Sequence, residues 1–227
     1  MRPPMKVEQR YRYLYKPFVF AACLVPAALL LAGAFGMFGQ DLGADPVAKL
    51  LHTCGKTGLN FLLLTLLVTP VRRLTGWSNL VRLRRMLGLF AFFYLLAHFT
   101  VYLVLDQQLN FHGVLQDIIK RPYITIGFAA LLMLIPLAVT STNRMMRRLG
   151  RRWQKLHRLI YLVAILGVWH YWWQVKKDIR QPLLYVAMLA VLLGFRLVVR
   201  ARNRARAARS APFVTSTSVP ATTPEKT

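Results

Sequence analysis

The chain has 227 residues, of which 56% are hydrophobic, and it carries a formal net charge of +24. Its mean hydropathy of +0.41 and its long apolar runs exclude an ordinary water-soluble globular domain. A basic charge of this size is also found in nucleic-acid-binding proteins, but here it lies in blocks between apolar runs, as in membrane proteins. We therefore expect an all-α membrane protein in contact with lipid, and no nucleic-acid partner.

The apolar runs predict a polytopic bundle of six transmembrane helices. Most runs are near the ~20 residues that span a bilayer, and a helix satisfies all of its own backbone polar groups within lipid. The runs cover residues 17–39, 49–70, 86–105, 122–140, 156–173 and 182–200. The predicted organisation is a cytoplasmic N-terminal segment, a six-helix domain and a tail that is first basic and then disordered, at residues 1–16, 17–200 and 201–227.

The distribution of charge predicts which helix ends face the cytoplasm. If the N-terminus is inside, 24 of the 31 Lys and Arg residues lie in the inner segments. Five of the seven acidic residues lie in the outer segments. This positive-inside bias predicts that both termini are cytoplasmic.

Two histidines fall at matching depth in different apolar runs. His98 in the third run and His170 in the fifth differ in depth by only ~3 Å, because both runs go from inside to outside. An ionisable side chain inside lipid is costly, which makes it a functional candidate. Imidazoles on neighbouring helices are also how proteins hold a haem iron on both faces. The sequence predicts one haem ligated by His98 and His170 in the outer half of the membrane.

A third histidine, His157, predicts a second cofactor position nearer the cytoplasm. It lies about 19.5 Å from His170 along a helix, which suits a second haem and an electron relay across the bilayer. No other histidine lies at this inner depth. On an ideal helix the two side chains point about 140° apart, so a kink or a π-bulge is expected between them.

His52 and His112 are weaker candidates for metal ligation. His52 is at the outer end of the second run, and His112 is in the longest outer loop. The stretch FHGVLQDII within this loop predicts a short helix that lies flat on the membrane. His112 stays an alternative outer ligand, although a surface position is the favoured interpretation.

Other side chains bear on cofactors and electron input. Cys23 and Cys54 fall at different depths, so no disulfide is expected, and neither belongs to a motif for covalent haem. The basic clusters at 71–74, 82–86 and 147–158 predict inner anchors, although their Arg side chains also suit haem propionates, a flavin phosphate or a quinone carbonyl. No dinucleotide fingerprint follows a strand, so another molecule must deliver electrons.

Five segments within about residues 40–200 carry a family resemblance. They are DPVAKLLHTCGKTGLNFLLLTLLVTPVRRL, RRMLGLFAFFYLLAH, KRPYITIG, PLAVTST and LGRRWQKLHRLIYLVAILGVWHYWW. In this order they resemble the MsrQ family, formerly called YedZ, which belongs with the ferric-reductase-like transmembrane domains. The family's histidines fall on His98, His157 and His170, and its H-x-x-G pattern falls on His52. Here Thr-Cys stands between His52 and the Gly, so Cys54 directly precedes the Gly at a position where the family pattern has Thr.

The resemblance implies a multi-pass protein of the bacterial inner membrane that binds haem b, in one or two copies, and associates with FMN. It implies that electrons come from the quinone pool or from a cytoplasmic flavin reductase. They pass to a periplasmic molybdopterin subunit resembling MsrP, which reduces methionine sulfoxide in oxidised periplasmic proteins. On this interpretation the chain is an electron-transfer subunit, and it contributes no catalytic residue of its own.

Other functions are also compatible with these residues. A self-standing transmembrane metal or quinone reductase would use the same haem. A small transporter or proton channel would use the same histidines without any redox chemistry. A purely structural membrane anchor is a further alternative. A Soret absorption band in the purified protein separates the two haem proteins from the other two classes.

Overall fold

The computed structural model describes residue 13 and residues 15–37, 42–77, 79–175 and 178–209. The regular structure within these ranges is helical, which confirms the all-α prediction. Most of the predicted N-terminal segment and the predicted disordered tail lie outside the described residues. The helices are, in chain order, α1 (Lys16–Ala34), α2 (Pro46–Thr75), α3 (Leu80–Val101), α4 (Phe111–Lys120), α5 (Pro122–Val139), α6 (Asn143–Leu149), α7 (Arg151–Leu156), α8 (Leu159–Gln174) and α9 (Arg180–Arg209).

Local sequence explains where several helices begin and end. The Asp45 side chain caps α2 by accepting a hydrogen bond at 2.9 Å from the amide three residues later, and Pro46 suits the first helical turn. α2 ends at Gly76, whose φ of 73° is the left-handed conformation that stops many helices. Asn110 caps α4 in the same way as Asp45 caps α2, at 3.0 Å. These caps set the ends of the helices that surround the site.

Five helices in the described part of the chain are long and apolar enough to cross a membrane. They are α1, α2, α5, α9 and α3 together with the π-helical turn Tyr102–Asp106 that extends it. α8 has 16 residues, fewer than the ~20 that span a bilayer. The number of six spans and the orientation of the chain therefore stay predictions.

The core lies between α2, α3, α5 and α8. α2 packs chiefly against α3, and α5 packs chiefly against α8. Leu62 and Leu66 of α2, Tyr94 of α3 and Val163 of α8 are almost completely buried there. α1 and α9 pack on the outside of these four helices.

The fifth apolar run is interrupted near its start. α8 begins three residues later than predicted, at Leu159, and His157 and Arg158 form a turn after α7. The Arg158 amide donates to the Lys155 carbonyl at 3.2 Å, a bond that spans three residues as in a 3₁₀-helix. A tightened turn thus separates His157 from His170, where the sequence suggested a kink or a π-bulge.

A tyrosine hydroxyl joins α1 to α3 just after Pro26. The Ala27 amide donates to the Tyr94 hydroxyl at 3.0 Å, and this hydroxyl donates to the Cys23 carbonyl at 2.7 Å. In a regular helix the Ala27 amide would donate directly to the Cys23 carbonyl. The hydroxyl is therefore inserted into the hydrogen-bond ladder of α1, at the place where a proline loosens a helix.

An arginine of α9 satisfies the carbonyl that Pro70 leaves without a donor in α2. Pro70 has no amide hydrogen, so the Leu66 carbonyl lacks its helical partner. Arg196 Nη2 donates to this carbonyl at 2.6 Å, and Nη1 donates to the Tyr161 hydroxyl at 2.6 Å. Arg196 therefore ties α9 to both α2 and α8. The sequence alone did not predict this contact, although Arg196 lies within the sixth predicted apolar run.

Candidate functional site

His98 on α3 and His170 on α8 lie side by side inside the bundle. The centres of their rings are 6.2 Å apart, and the ring planes meet at 76°. Both side chains line one cavity of about 330 Å³. The structure therefore brings together the two histidines that the sequence placed at matching depth, whereas their binding of a metal stays a prediction.

A backbone carbonyl of the neighbouring helix orients each imidazole. Nδ1 of His98 is 2.8 Å from the Leu51 carbonyl oxygen on α2, and Nδ1 of His170 is 2.7 Å from the Tyr123 carbonyl oxygen on α5. A carbonyl oxygen accepts hydrogen bonds and donates none, so each Nδ1 carries the hydrogen and each Nε2 keeps a lone pair. Histidines that bind metals commonly have this support.

A glycine lies against each imidazole ring. A Cβ atom at Gly55 of α2 would lie 2.9 Å from Nδ1 of His98, and one at Gly127 of α5 would lie 2.8 Å from Nδ1 of His170. Carbon and nitrogen atoms that are not bonded do not approach this closely. The rings therefore occupy the space that these two glycines leave open.

The two halves of the site are related by a constant offset in the sequence. Each histidine lies 47 positions after the residue whose carbonyl it contacts. The two histidines are 72 positions apart, and the same offset separates the two glycines and the two carbonyl groups. The α2–α3 pair and the α5–α8 pair are therefore equivalent units, in each of which a histidine ring contacts one glycine and one backbone carbonyl.

The spacing of the two rings fits one iron ion between them. A metal–nitrogen bond of about 2 Å on each side, with about 1.1 Å from each nitrogen to its ring centre, gives roughly 6 Å between the centres. The observed separation is 6.2 Å. Two imidazoles facing an apolar interior are also the donor set of a bis-histidine haem. The residues present therefore fit a haem.

One end of the cavity carries polar and charged side chains. They are His52, Lys56, Tyr102, Asp106, Arg121 and Gln174. Nε of Arg121 lies 3.1 Å from a carboxylate oxygen of Asp117, and the Tyr102 hydroxyl donates to the other oxygen at 2.9 Å. The hydrogen bond with the Tyr123 side chain and the nearby Asp117 carboxylate raise the pKa of the Arg121 guanidinium, which stays charged.

The predicted inner ligand, His157, is not among the residues that line this cavity. Its ring stacks on Trp153 with the ring centres 3.9 Å apart, and its Nδ1 is 3.1 Å from the Trp153 carbonyl. Its Nε2 is 3.5 Å from the Ser141 hydroxyl oxygen. The structure therefore gives His157 surroundings different from those of the His98–His170 pair, and its role as a ligand stays a prediction.

The two weaker candidates lie in different places. His52, on the second turn of α2, lines the same cavity as His98 and His170. His112 lies on α4, where a short helix was predicted, and its Nε2 is 2.8 Å from the side-chain nitrogen of Gln116. His112 is exposed and does not line the cavity, so it lies apart from the histidine pair.

Two glycines and two cations of this site were not predicted from the sequence. Gly55 and Gly127 were not assigned to the histidines, and Lys56 and Arg121 were not assigned to the cavity. A small residue in an apolar run indicates close helix approach, which was a usable signal for the glycines. The offset of 72 positions between the halves was a second signal for the same residues.

The helical bundle and its paired imidazoles define a membrane protein of the ferric-reductase class. The family described as ferric reductase like transmembrane component matches residues 54–168. The chain belongs, more narrowly, to the MsrQ family. The protein-methionine-sulfoxide reductase heme-binding subunit MsrQ of Xanthomonas oryzae pv. oryzae (strain MAFF 311018) is 52% identical to it, over 87% of this chain and 92% of the relative. The subunit of the same name from Herminiimonas arsenicoxydans is 47% identical at the same coverage.

Proposed function

We propose that the chain is a haem b electron-transfer subunit in a bacterial inner membrane. It delivers electrons to a periplasmic methionine sulfoxide reductase resembling MsrP, which repairs oxidised periplasmic proteins. The observation that carries this proposal is the pair of imidazoles with ring centres 6.2 Å apart. The names of the relatives, which are heme-binding subunits of a protein-methionine-sulfoxide reductase, support the same role.

The residues of the chain hold and shield the cofactor in this proposal. Bound haem supplies one-electron oxidation and reduction at its iron. His98 and His170 would hold the iron through their Nε2 atoms. The carbonyls of Leu51 and Tyr123 hold the rings in place through Nδ1. The buried apolar side chains around the cavity keep water away from the iron.

Electrons enter from the cytoplasmic side in this proposal, from the quinone pool or from a cytoplasmic flavin reductase. The described residues form helices and contain no nucleotide-binding βαβ unit. His157 holds a second haem, or otherwise serves electron entry, near the inner ends of α5 and α8. FMN is an additional cofactor on this route. The basic inner segments support this orientation, with six spans and both termini in the cytoplasm.

The histidine assignment is tested by absorption and electron paramagnetic resonance spectra of the purified protein. His98→Ala and His170→Ala should each abolish the low-spin bis-imidazole signal of the outer haem. His112→Ala is the matched control, because its side chain is exposed on α4, and it should leave the signal intact. His157→Ala should change a different haem or slow electron input. An unchanged signal in the His98 and His170 variants would contradict the proposed function.

The direction of electron flow is tested by stopped-flow mixing of the purified protein. NADPH alone should leave the haem oxidised, and adding a cytoplasmic flavin reductase or a reduced quinone should reduce it. Adding an oxidised MsrP-like subunit should then reoxidise the haem. Rapid reduction by NADPH alone, or a haem that stays reduced beside the periplasmic subunit, would sink the proposed route.

A further inference from the structure

The cavity around the histidine pair is apolar on one side and charged on the other. Leu59, Leu62 and Val163 line its inner part, and Lys56 and Arg121 line its outer part. A haem has the same division, because its two propionate carboxylates lie on one edge of an apolar ring. A carboxylate taken out of water without a partner is strongly destabilising. The charged side of the cavity therefore favours the orientation in which the propionate edge of a haem faces Lys56 and Arg121.

We propose that Lys56 and Arg121 bind the two propionates of the haem held by His98 and His170. This binding turns the carboxylate edge of the haem toward the outer face of the membrane. The inference rests on the proposed function, since it requires a haem at this histidine pair. It adds two binding residues from two different helical units.

Arg121 is positioned for this role by a carboxylate that holds one side of its guanidinium. Asp117 accepts from Arg121 Nε at 3.1 Å, from the Tyr102 hydroxyl at 2.9 Å and from Gln107 Nε2 at 3.1 Å. Its side chain is 14% exposed, whereas that of Arg121 is 55% exposed. An arginine has five N–H donors, and Nε uses one of them. The terminal amino groups are left for the Tyr123 side chain and a propionate.

Lys56 is held by different contacts at the same end of the cavity. Its Nζ donates to Gln181 Oε1 at 2.8 Å and lies 5.9 Å from the centre of the Tyr171 ring. An ammonium group has three N–H donors, so Gln181 leaves two for a carboxylate. Lys56 also directly follows Gly55, the residue on which the His98 ring rests. A propionate bound here would therefore lie close to the His98 ligand.

Each of the two equivalent units supplies one cation, and a haem has two propionates along one edge, so each cation can bind one propionate. Lys56 belongs to the unit of His98, and Arg121 stands two positions before Tyr123, whose carbonyl orients His170. The basic cluster at 71–74, which the sequence suggested for propionates, is too distant. Arg72 lies sixteen positions after Lys56, or about 24 Å along α2.

The test compares Lys56→Gln and Arg121→Gln with two control variants, Lys49→Gln and Lys120→Gln. Both control lysines are exposed and neither lines the cavity. Each protein is loaded with haem b or with haem dimethyl ester, whose carboxylates are blocked. The measurements are haem transfer to apomyoglobin and the midpoint potential from a redox titration. Both measurements are independent of reductase activity.

With haem b, each cavity variant should lose haem about three- to tenfold faster than the wild type. Its midpoint potential should fall, because a lost positive charge disfavours the added electron. With the dimethyl ester, the cavity variants and the wild type should lose haem at the same rate, because the ester has no carboxylate for either cation to bind. Arg121→Lys should recover part of the loss, because it keeps the charge.

Three outcomes would overturn the propionate assignment. The cavity variants could retain haem b as the wild type does, they could lose the ester equally fast, or the control variants could match their loss. A wild-type protein that gives no bis-imidazole spectrum would instead overturn the proposed function itself. The two failures are therefore distinguishable.

Discussion

Gly55 and Gly127 make room for the two imidazoles because neither residue has a Cβ atom. A glycine inside a helix costs roughly 1 kcal/mol of stability relative to alanine. At these two positions the cost is explained by the close approach of a histidine ring, at 2.9 Å and 2.8 Å from where a Cβ would lie. An added methyl group would push the ring away from the carbonyl that orients it.

Gly55→Ala and Gly127→Ala should therefore damage the histidine site without removing a ligand. We expect loss of the low-spin haem signal or a large fall in haem content in both variants. Gly194→Ala is the matched control, because a Cβ at this α9 position would meet no atom within 4 Å. Purified protein is compared by absorption spectrum and by haem-to-protein ratio. Normal spectra in the two cavity variants would show that the rings have more room than the structure gives them.

The histidine pair was predictable from the sequence, and the residues that support it were not. The depths of His98 and His170 follow from the rise of a helix and from the direction of their two runs. The positions of Gly55 and Gly127 depend on which helices are neighbours, and helix pairing is a tertiary property. A kink or a π-bulge was expected between His157 and His170, but the turn at His157 and Arg158 was not located, because no proline or glycine marks it within the segment QKLHRL.

Between elements, the contact of Arg196 with the Leu66 carbonyl compensates for Pro70 in α2. Arg196→Leu should leave this carbonyl without a donor and lower the free energy of unfolding by about 1–3 kcal/mol. Pro70→Ala restores an amide that donates to the same carbonyl. The loss caused by Arg196→Leu should therefore be smaller in the Pro70→Ala background. Thermal unfolding in detergent measures the four proteins of this cycle.

If Arg196→Leu lowers the free energy of unfolding equally in the wild-type and Pro70→Ala backgrounds, Arg196 stabilises the protein through its other contacts. These are the Tyr161 hydroxyl at 2.6 Å and the Thr69 hydroxyl at 3.2 Å. The sequence placed Arg196 in the sixth apolar run, at 182–200, but it does not show which carbonyl the side chain reaches. The proline inside the second apolar run was the available signal, since it leaves the carbonyl four residues earlier unpaired.

The attachment of α1 to α3 depends on the Tyr94 hydroxyl. Tyr94→Phe keeps the ring but removes the group that joins the Ala27 amide to the Cys23 carbonyl. We expect α1 to loosen, so that the buried Cys23 thiol, 3% exposed, reacts faster with a maleimide. Cys54, 6% exposed on α2, is the internal control and should keep its rate. An unchanged rate at Cys23 would show that apolar packing alone holds α1.

For the molecule as a whole, the charge distribution predicts the orientation in the membrane. Asn79→Cys and Arg148→Cys should resist a membrane-impermeant thiol reagent added from outside and should react after the membrane is opened. Gln116→Cys on α4 is the control that should react from outside. Labelling of residue 79 or 148 in intact cells would reverse the predicted topology.

The overall architecture was predictable only in its class. The apolar runs and basic blocks were sufficient to predict a helical membrane protein, because a backbone buried in lipid has few alternatives to the helix. The number of spans was not settled in this way. α8 has 16 residues and follows a turn, and the short helices α6 and α7 precede it, so run length alone misplaced its start.

The close fit of each ring between a glycine and a carbonyl has a consequence for the speed of electron transfer. Each imidazole of the pair packs against a glycine and is tied to the backbone of a different long helix. An iron bound by both rings, as proposed above, would change its charge while the surrounding atoms stay nearly where they are. The reorganisation energy of this centre should therefore be small, which favours rapid exchange of electrons in both directions.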